Sequence, residues 1–121
     1  RNTAIVDRRA EMLGIKDVYQ RMIFKIDAYN DLLKKYRLSD SEVCYIGDDI
    51  LDIPVLERAG FSVVPGSAVK DVLKYADYVT RRAGGDGAVR EALDLILDLS
   101  GKKQMLIRQV KDKTLPIRKL A

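Results

Sequence analysis

Two periods alternate in the apolar positions of this chain. Residues 2–13 set Ile5, Val6, Arg9, Ala10 and Leu13 near one helical face, with Asn2 as a possible cap and Gly14 as the stop. Val18-Tyr19-Gln20 reads as a short strand. Residues 24–36 return to the helical period, with Ile26, Tyr29, Leu32, Leu33 and Tyr36 as the stripe. The unbroken run Val43-Cys44-Tyr45-Ile46 predicts a strand buried on both faces. A helix is expected over 52–59, with Pro54 tolerated in its first turn and Gly60 ending it. Residues 61–64 read as the next buried strand. Ser67 can cap a short helix over 68–75, and residues 78–80 suggest a fourth strand. Gly84, Gly85 and Gly87 then make a loop before a last helix over 88–99.

Strands alternating with helices indicate βαβ units. The predicted fold class is α/β, a Rossmann-like parallel sheet flanked by helices. Ligands in such sheets lie at the C-terminal ends of the strands. That directs attention to the loops after Gln20, Ile46, Val64 and Thr80.

Length and composition agree with one domain. The chain has 121 residues, 47% of them hydrophobic, with few aromatics and no tryptophan, so the core is expected to be mostly aliphatic. The one cysteine, Cys44, excludes an internal disulfide and is expected as a small buried hydrophobe, consistent with a reducing cytoplasm. No stretch reaches the roughly 20 apolar residues of a membrane span. Opening on Arg1-Asn2-Thr3 with a helical pattern already under way, the sequence reads as a fragment. Net charge is +4, but from Gly101 onward seven Lys or Arg face only Asp112, leaving +6 there and −2 on residues 1–100. Residues 1–100 are therefore assigned to the domain and 101–121 to a basic tail, expected as a solvated, partly disordered extension. Without aromatic interleaving or a nucleic-acid motif, the tail does not predict nucleic-acid binding.

The candidate chemistry lies after the run 43–46. Gly47 would let the backbone turn, and Asp48, Asp49 and Asp52 follow within six residues. Carboxylates this close repel unless a cation sits among them, and hard oxygen ligands suit Mg²⁺. Asp52 alone reads equally as a helix cap, and Asp49 alone as a turn residue.

Gly47-Asp48-Asp49-Ile50-Leu51-Asp52-Ile53-Pro54-Val55 resembles motif IV of the haloacid dehalogenase superfamily. More narrowly, it resembles the phosphatases acting on 3-deoxy-D-manno-octulosonate 8-phosphate. Arg1 resembles the arginine closing motif II, and Lys25 falls where the family places its motif III lysine. Leu13-Gly14-Ile15, Val18-Tyr19-Gln20, Ala76-Asp77-Tyr78-Val79-Thr80 and the run from Gly84 to Glu91 extend the likeness over residues 1–101. The resemblance implies a Mg²⁺-dependent phosphatase working through a phospho-aspartate, on an acidic sugar phosphate of lipopolysaccharide biosynthesis. It implies Asp48 as the direct metal ligand, Asp49 and Asp52 in support, and Lys25 neutralising the phosphoryl oxygens. Arg1 and Arg9 would contact substrate. A cytoplasmic homotetramer is implied, with no membrane or nucleic-acid partner.

Plainer readings stand beside these. Lys25 can be an exposed lysine, Arg9 a surface helix residue, and Arg90 and Glu91 ordinary helix charges. There are also departures from the pattern. Arg21 stands where the family usually has glycine, and Asp86 replaces an arginine in the glycine loop. The nucleophile pair, Asp-x-Asp-Gly after an apolar strand, is absent from these residues, and so is the hairpin through which the family tetramerises. The sheet is expected to be incomplete, with a raw edge. An alternative implied role is a non-catalytic oligomerisation module of a CMP-sialic acid type synthetase.

Overall fold

A computed structural model describes residues 4–114. Three short strands make one parallel sheet in the order β1-β2-β3: β1 Cys44–Ile46, β2 Phe61–Val64 and β3 Tyr78–Val79. Helices α1 Ala4–Leu13 and α2 Lys25–Tyr36 precede the sheet. Helices α3 Ile53–Arg58 and α4 Lys70–Leu73 connect its strands, and α5 Ala88–Leu99 and α6 Lys102–Lys111 follow. Among the described residues no helix is long and apolar enough to cross a membrane.

The middle strand explains the core. Ser62, Val63 and Val64 are buried on β2, which has a strand on each side and α3 packed against it. Leu56 from α3 and Val72 from α4 pack against Val64, with Tyr45, Leu73 and Tyr75 around them. Each fully buried valine contributes about 1.5–3 kcal/mol relative to exposure. The polar Ser62 is tolerated because its hydroxyl donates to the Leu56 carbonyl at 2.5 Å, and its amide donates to Asp77 Oδ2 at 2.8 Å.

Three expectations are corrected. Residues 18–20 form no strand: Gln20 donates to Asp7 Oδ1 at 2.8 Å, so a side chain rather than a ladder holds this stretch. The run 43–46 is not buried on both faces, because β1 is an edge of the sheet and leaves Cys44 exposed. Ser67 does not cap a helix over 68–75. Helix α4 covers only Lys70–Leu73, and the Ser67 hydroxyl instead accepts from the Gly84 amide at 3.0 Å. In the basic segment Gly101, at φ 72°, turns the chain into α6, and Lys103 reaches Asp98 at 3.5 Å.

Candidate active site

The end of β1 and the start of α2 meet through one carboxylate. The Gly47 amide donates to the Val63 carbonyl at 3.1 Å, carrying the sheet one step past β1. The chain then leaves the sheet and winds a 3₁₀ turn over Ile50–Asp52 before α3 begins. This brings Asp52 back beneath the loop, with 1% of its surface exposed. Its Oδ2 accepts the amides of Asp48 at 2.9 Å and Asp49 at 3.0 Å. Its Oδ1 accepts the Tyr45 hydroxyl at 2.5 Å and Lys25 Nζ at 2.6 Å.

Every strong acceptor direction of this buried carboxylate is therefore used, which is what burying a charge requires. Burial by itself would raise its pKa. Lys25, Tyr45 and the Asp49 amide outweigh that and hold it below the ordinary aspartate range. Burial, and then the bond to Asp52, push the Tyr45 hydroxyl well above the usual phenol range.

Gly47 is required for space rather than for an unusual turn. A Cβ there would stand 2.6 Å from Asp52 Cγ and 2.8 Å from Oδ2, and Gly47 is not among the positive-φ glycines. The expectation that glycine serves the turn by its backbone freedom is corrected accordingly.

The three carboxylates do not converge on one point. Asp52 turns inward to Lys25, while Asp48 and Asp49 are exposed on the loop. Among the described residues no group of three or more His, Cys, Asp or Glu is arranged to hold a metal. Asp52 is not a side-chain cap of α3 either. Lys25 is not a free surface lysine. It opens α2, where a cation opposes the helix dipole by about 0.3–1 kcal/mol, and it stays there because Asp52 holds it. Arg9 is exposed on α1 and does not line the cavity that Lys25 shares. Arg1 lies outside the described residues.

Sequence reasoning missed Tyr45. The available signal was a phenol in an otherwise aliphatic strand just before an acidic loop, since a half-buried tyrosine hydroxyl seeks a partner. It also undervalued Glu91. This residue accepts the Tyr78 hydroxyl at 2.6 Å and the amides of Arg81 and Arg82 at 3.0 Å, tying α5 to the end of β3. Arg90 behaves as an ordinary helix charge, paired with Asp94 at 3.2 Å.

A cavity of about 970 Å³ opens between the 14–22 segment, α2 and the free side of β1. Its apolar wall includes Leu32, Leu33 and Val43, and its polar end includes Gln20, Arg21 and Lys25.

The profile of the family described as haloacid dehalogenase-like hydrolase matches residues 7–93. The chain is 45% identical over 102 residues to the 3-deoxy-D-manno-octulosonate 8-phosphate phosphatase KdsC of Escherichia coli K12, covering 84% of this chain and 54% of that protein. It thus spans about half the length of the curated relatives it matches. The crystal structure of the Yersinia pestis phosphatase of the same name superposes with TM-score 0.82 at 43% identity, covering 84% of this chain and 55% of that one. The Moraxella catarrhalis phosphatase, solved in complex with magnesium ion, phosphate ion and a KDO molecule, superposes with TM-score 0.83 at 36% identity. That match covers 89% of this chain and 63% of the other.

Proposed function

We propose, from the premise that this chain belongs to the haloacid dehalogenase-like hydrolase family, that it supplies half of a phosphatase centre acting on an acidic sugar phosphate, 3-deoxy-D-manno-octulosonate 8-phosphate foremost. The observation that carries this reading is the 2.6 Å pair of Lys25 with buried Asp52, set beside the exposed carboxylates of Asp48 and Asp49 at the C-terminal end of a parallel strand.

Lys25 neutralises the phosphoryl oxygens as charge builds on them. Asp52 acts through Lys25, and through the amides of Asp48 and Asp49, so it positions the site rather than touching substrate. Asp48 would hold Mg²⁺ directly, with Asp49 supporting it. One or two carboxylates with several waters is the set Mg²⁺ favours, so this loop fits as part of a shell and needs a further carboxylate to complete it. When bound, Mg²⁺ supplies positive charge against the phosphate.

The remaining carboxylates come, in this reading, from a strand paired to the free side of β1 and ending level with Lys25. One aspartate attacks phosphorus as the bond to the sugar oxygen breaks, and a second, two residues on, gives that oxygen its proton. Water then hydrolyses the phospho-aspartate, returning the carboxylate and free phosphate. Arg1 and Arg9 contact substrate by family resemblance. The full-length protein is read as a cytoplasmic homotetramer in lipopolysaccharide precursor synthesis. In the rival reading, a non-catalytic synthetase module, the Lys25–Asp52 pair serves the fold alone, and the Lys25→Met variant separates the two.

A phosphate-release assay on the full-length protein with Mg²⁺ tests the proposal. Turnover of the octulosonate phosphate is expected, abolished by chelation and severely reduced in Lys25→Met. Absence of turnover on every sugar phosphate tried overturns it.

A further inference from the structure

Among the described residues three non-glycine residues adopt positive φ: Arg21 at 60°, Arg37 at 54° and Lys113 at 56°. Two of them have an evident local reason. Arg37 closes α2 with its amide on the Leu33 and Lys34 carbonyls. Lys113 closes the turn after α6 with its amide on Val110. Arg21 follows no helix. It lies in the irregular segment between α1 and α2, where the left-handed conformation caps nothing.

The segment is pinned on both sides of it. Gln20 is tied to Asp7 at 2.8 Å and Lys25 to Asp52 at 2.6 Å, while Asp17 accepts from Lys35 and Tyr36. These anchors keep the strained conformation from relaxing, and strain that serves no structural end points to function.

Charge supplies the second observation. The charged residues lining the cavity are Lys16, Asp17, Arg21 and Lys25. Asp17 is paired with Lys35 and Lys25 with Asp52, so Lys16 and Arg21 are the lining cations without an ion pair among the described residues. Arg21 stands four residues before Lys25 on the same cavity. A guanidinium presents a planar fork that matches a carboxylate bidentately, whereas an ammonium is a point charge.

We infer that Arg21 is a specificity-determining residue, whose guanidinium binds the carboxylate of an acidic sugar phosphate while Lys25 takes its phosphate. The inference rests on the phosphatase reading above for the phosphate end only; the carboxylate end is tested separately. Glycine is at ease at φ 60°, so Arg21→Gly removes the cation without forcing the backbone.

In the full-length protein with Mg²⁺, Arg21→Gly is expected to raise KM for 3-deoxy-D-manno-octulosonate 8-phosphate by about 10-fold. It is expected to leave kcat, and the KM of a neutral hexose 6-phosphate, within about twofold. Arg21→Lys should fall between, and the Tm of Arg21→Gly should be no lower than that of the starting protein. Calorimetry with free 3-deoxy-D-manno-octulosonate, which has no phosphate, reads the carboxylate contact without turnover and should show weaker binding by Arg21→Gly. Equal KM shifts on both substrates, or unchanged KM and unchanged sugar-acid binding, overturn the inference. If no sugar phosphate is hydrolysed at all, the phosphatase reading falls, and the calorimetric comparison still decides for or against Arg21.

Discussion

Replacing Asp52 by asparagine changes one atom and tests the centre of the site. The carboxylate accepts four donors, two on each oxygen. An asparagine keeps one acceptor and puts an NH₂ group in place of the other. If the NH₂ faces the loop, it meets the amides of Asp48 and Asp49, which cannot turn away. If it faces α2, it meets the Tyr45 hydroxyl, which can rotate to accept, and Lys25 Nζ, which cannot. The second arrangement is the cheaper. It still loses a charge-assisted bond of about 1.5–3 kcal/mol and strands the lysine charge. Lys25 keeps 35% of its side chain exposed, so water recovers part of that loss. A net destabilisation of about 2–4 kcal/mol follows, roughly 8–16 °C in Tm for 121 residues.

The pH dependence has a definite sign. Asp52 titrates below the ordinary aspartate range in the fold, so its contribution is present above the unfolded pKa of about 3.9 and fades as pH falls through the depressed folded value. The stability gap between Asp52→Asn and the unmodified protein should therefore be full at neutral pH and close on strong acidification. Denaturant unfolding of both proteins across that range measures it. A gap below about 0.5 kcal/mol at neutral pH, the scatter of an ordinary surface substitution, would refute the reasoning.

Three further outcomes are expected. Gly47→Ala places a Cβ 2.6 Å from Asp52 Cγ and should cost about 1–3 kcal/mol, read as a lower denaturation midpoint, with phosphatase activity falling in step. Glu91→Ala frees the end of β3, so the Arg81 and Arg82 amides should exchange hydrogen faster while those of β2 do not. Residues 1–121 alone should bind Mg²⁺ weakly and release no phosphate, which calorimetry and a phosphate assay check. Tight binding would mean that the loop of Asp48 and Asp49 needs no outside carboxylate.

The sequence is most legible where local pattern and tertiary environment agree. The strand at Phe61–Val64 and the helix at Ala88–Leu99 fall where apolar period and flanking glycines place them, because both are decided by residues near in sequence. The family resemblance implies that Asp49 and Asp52 hold metal-bound water or orient Lys25, and the fold bonds Asp52 to Lys25 across 27 residues. Burial of the run 43–46 fails because an apolar strand predicts a partner on each side, and among the described residues β1 has one. The segment 18–20 failed because its β-forming residues find no strand to pair with, and a glutamine side chain takes over the anchoring. Pattern reads what a residue prefers, whereas pairing depends on what lies beside it.

The open side of β1 also makes the chain its own chemical reporter. Cys44 is the only thiol in the sequence, and it sits exposed on that edge. Partial burial holds its pKa up, so alkylation should be slow at neutral pH and accelerate as pH rises. A strand laid against β1 would cover the same sulfur. The rate of maleimide labelling at Cys44 therefore serves as a clock for edge occupancy. It would register the arrival of a pairing segment, from whichever polypeptide it comes, before any assay of catalysis is attempted.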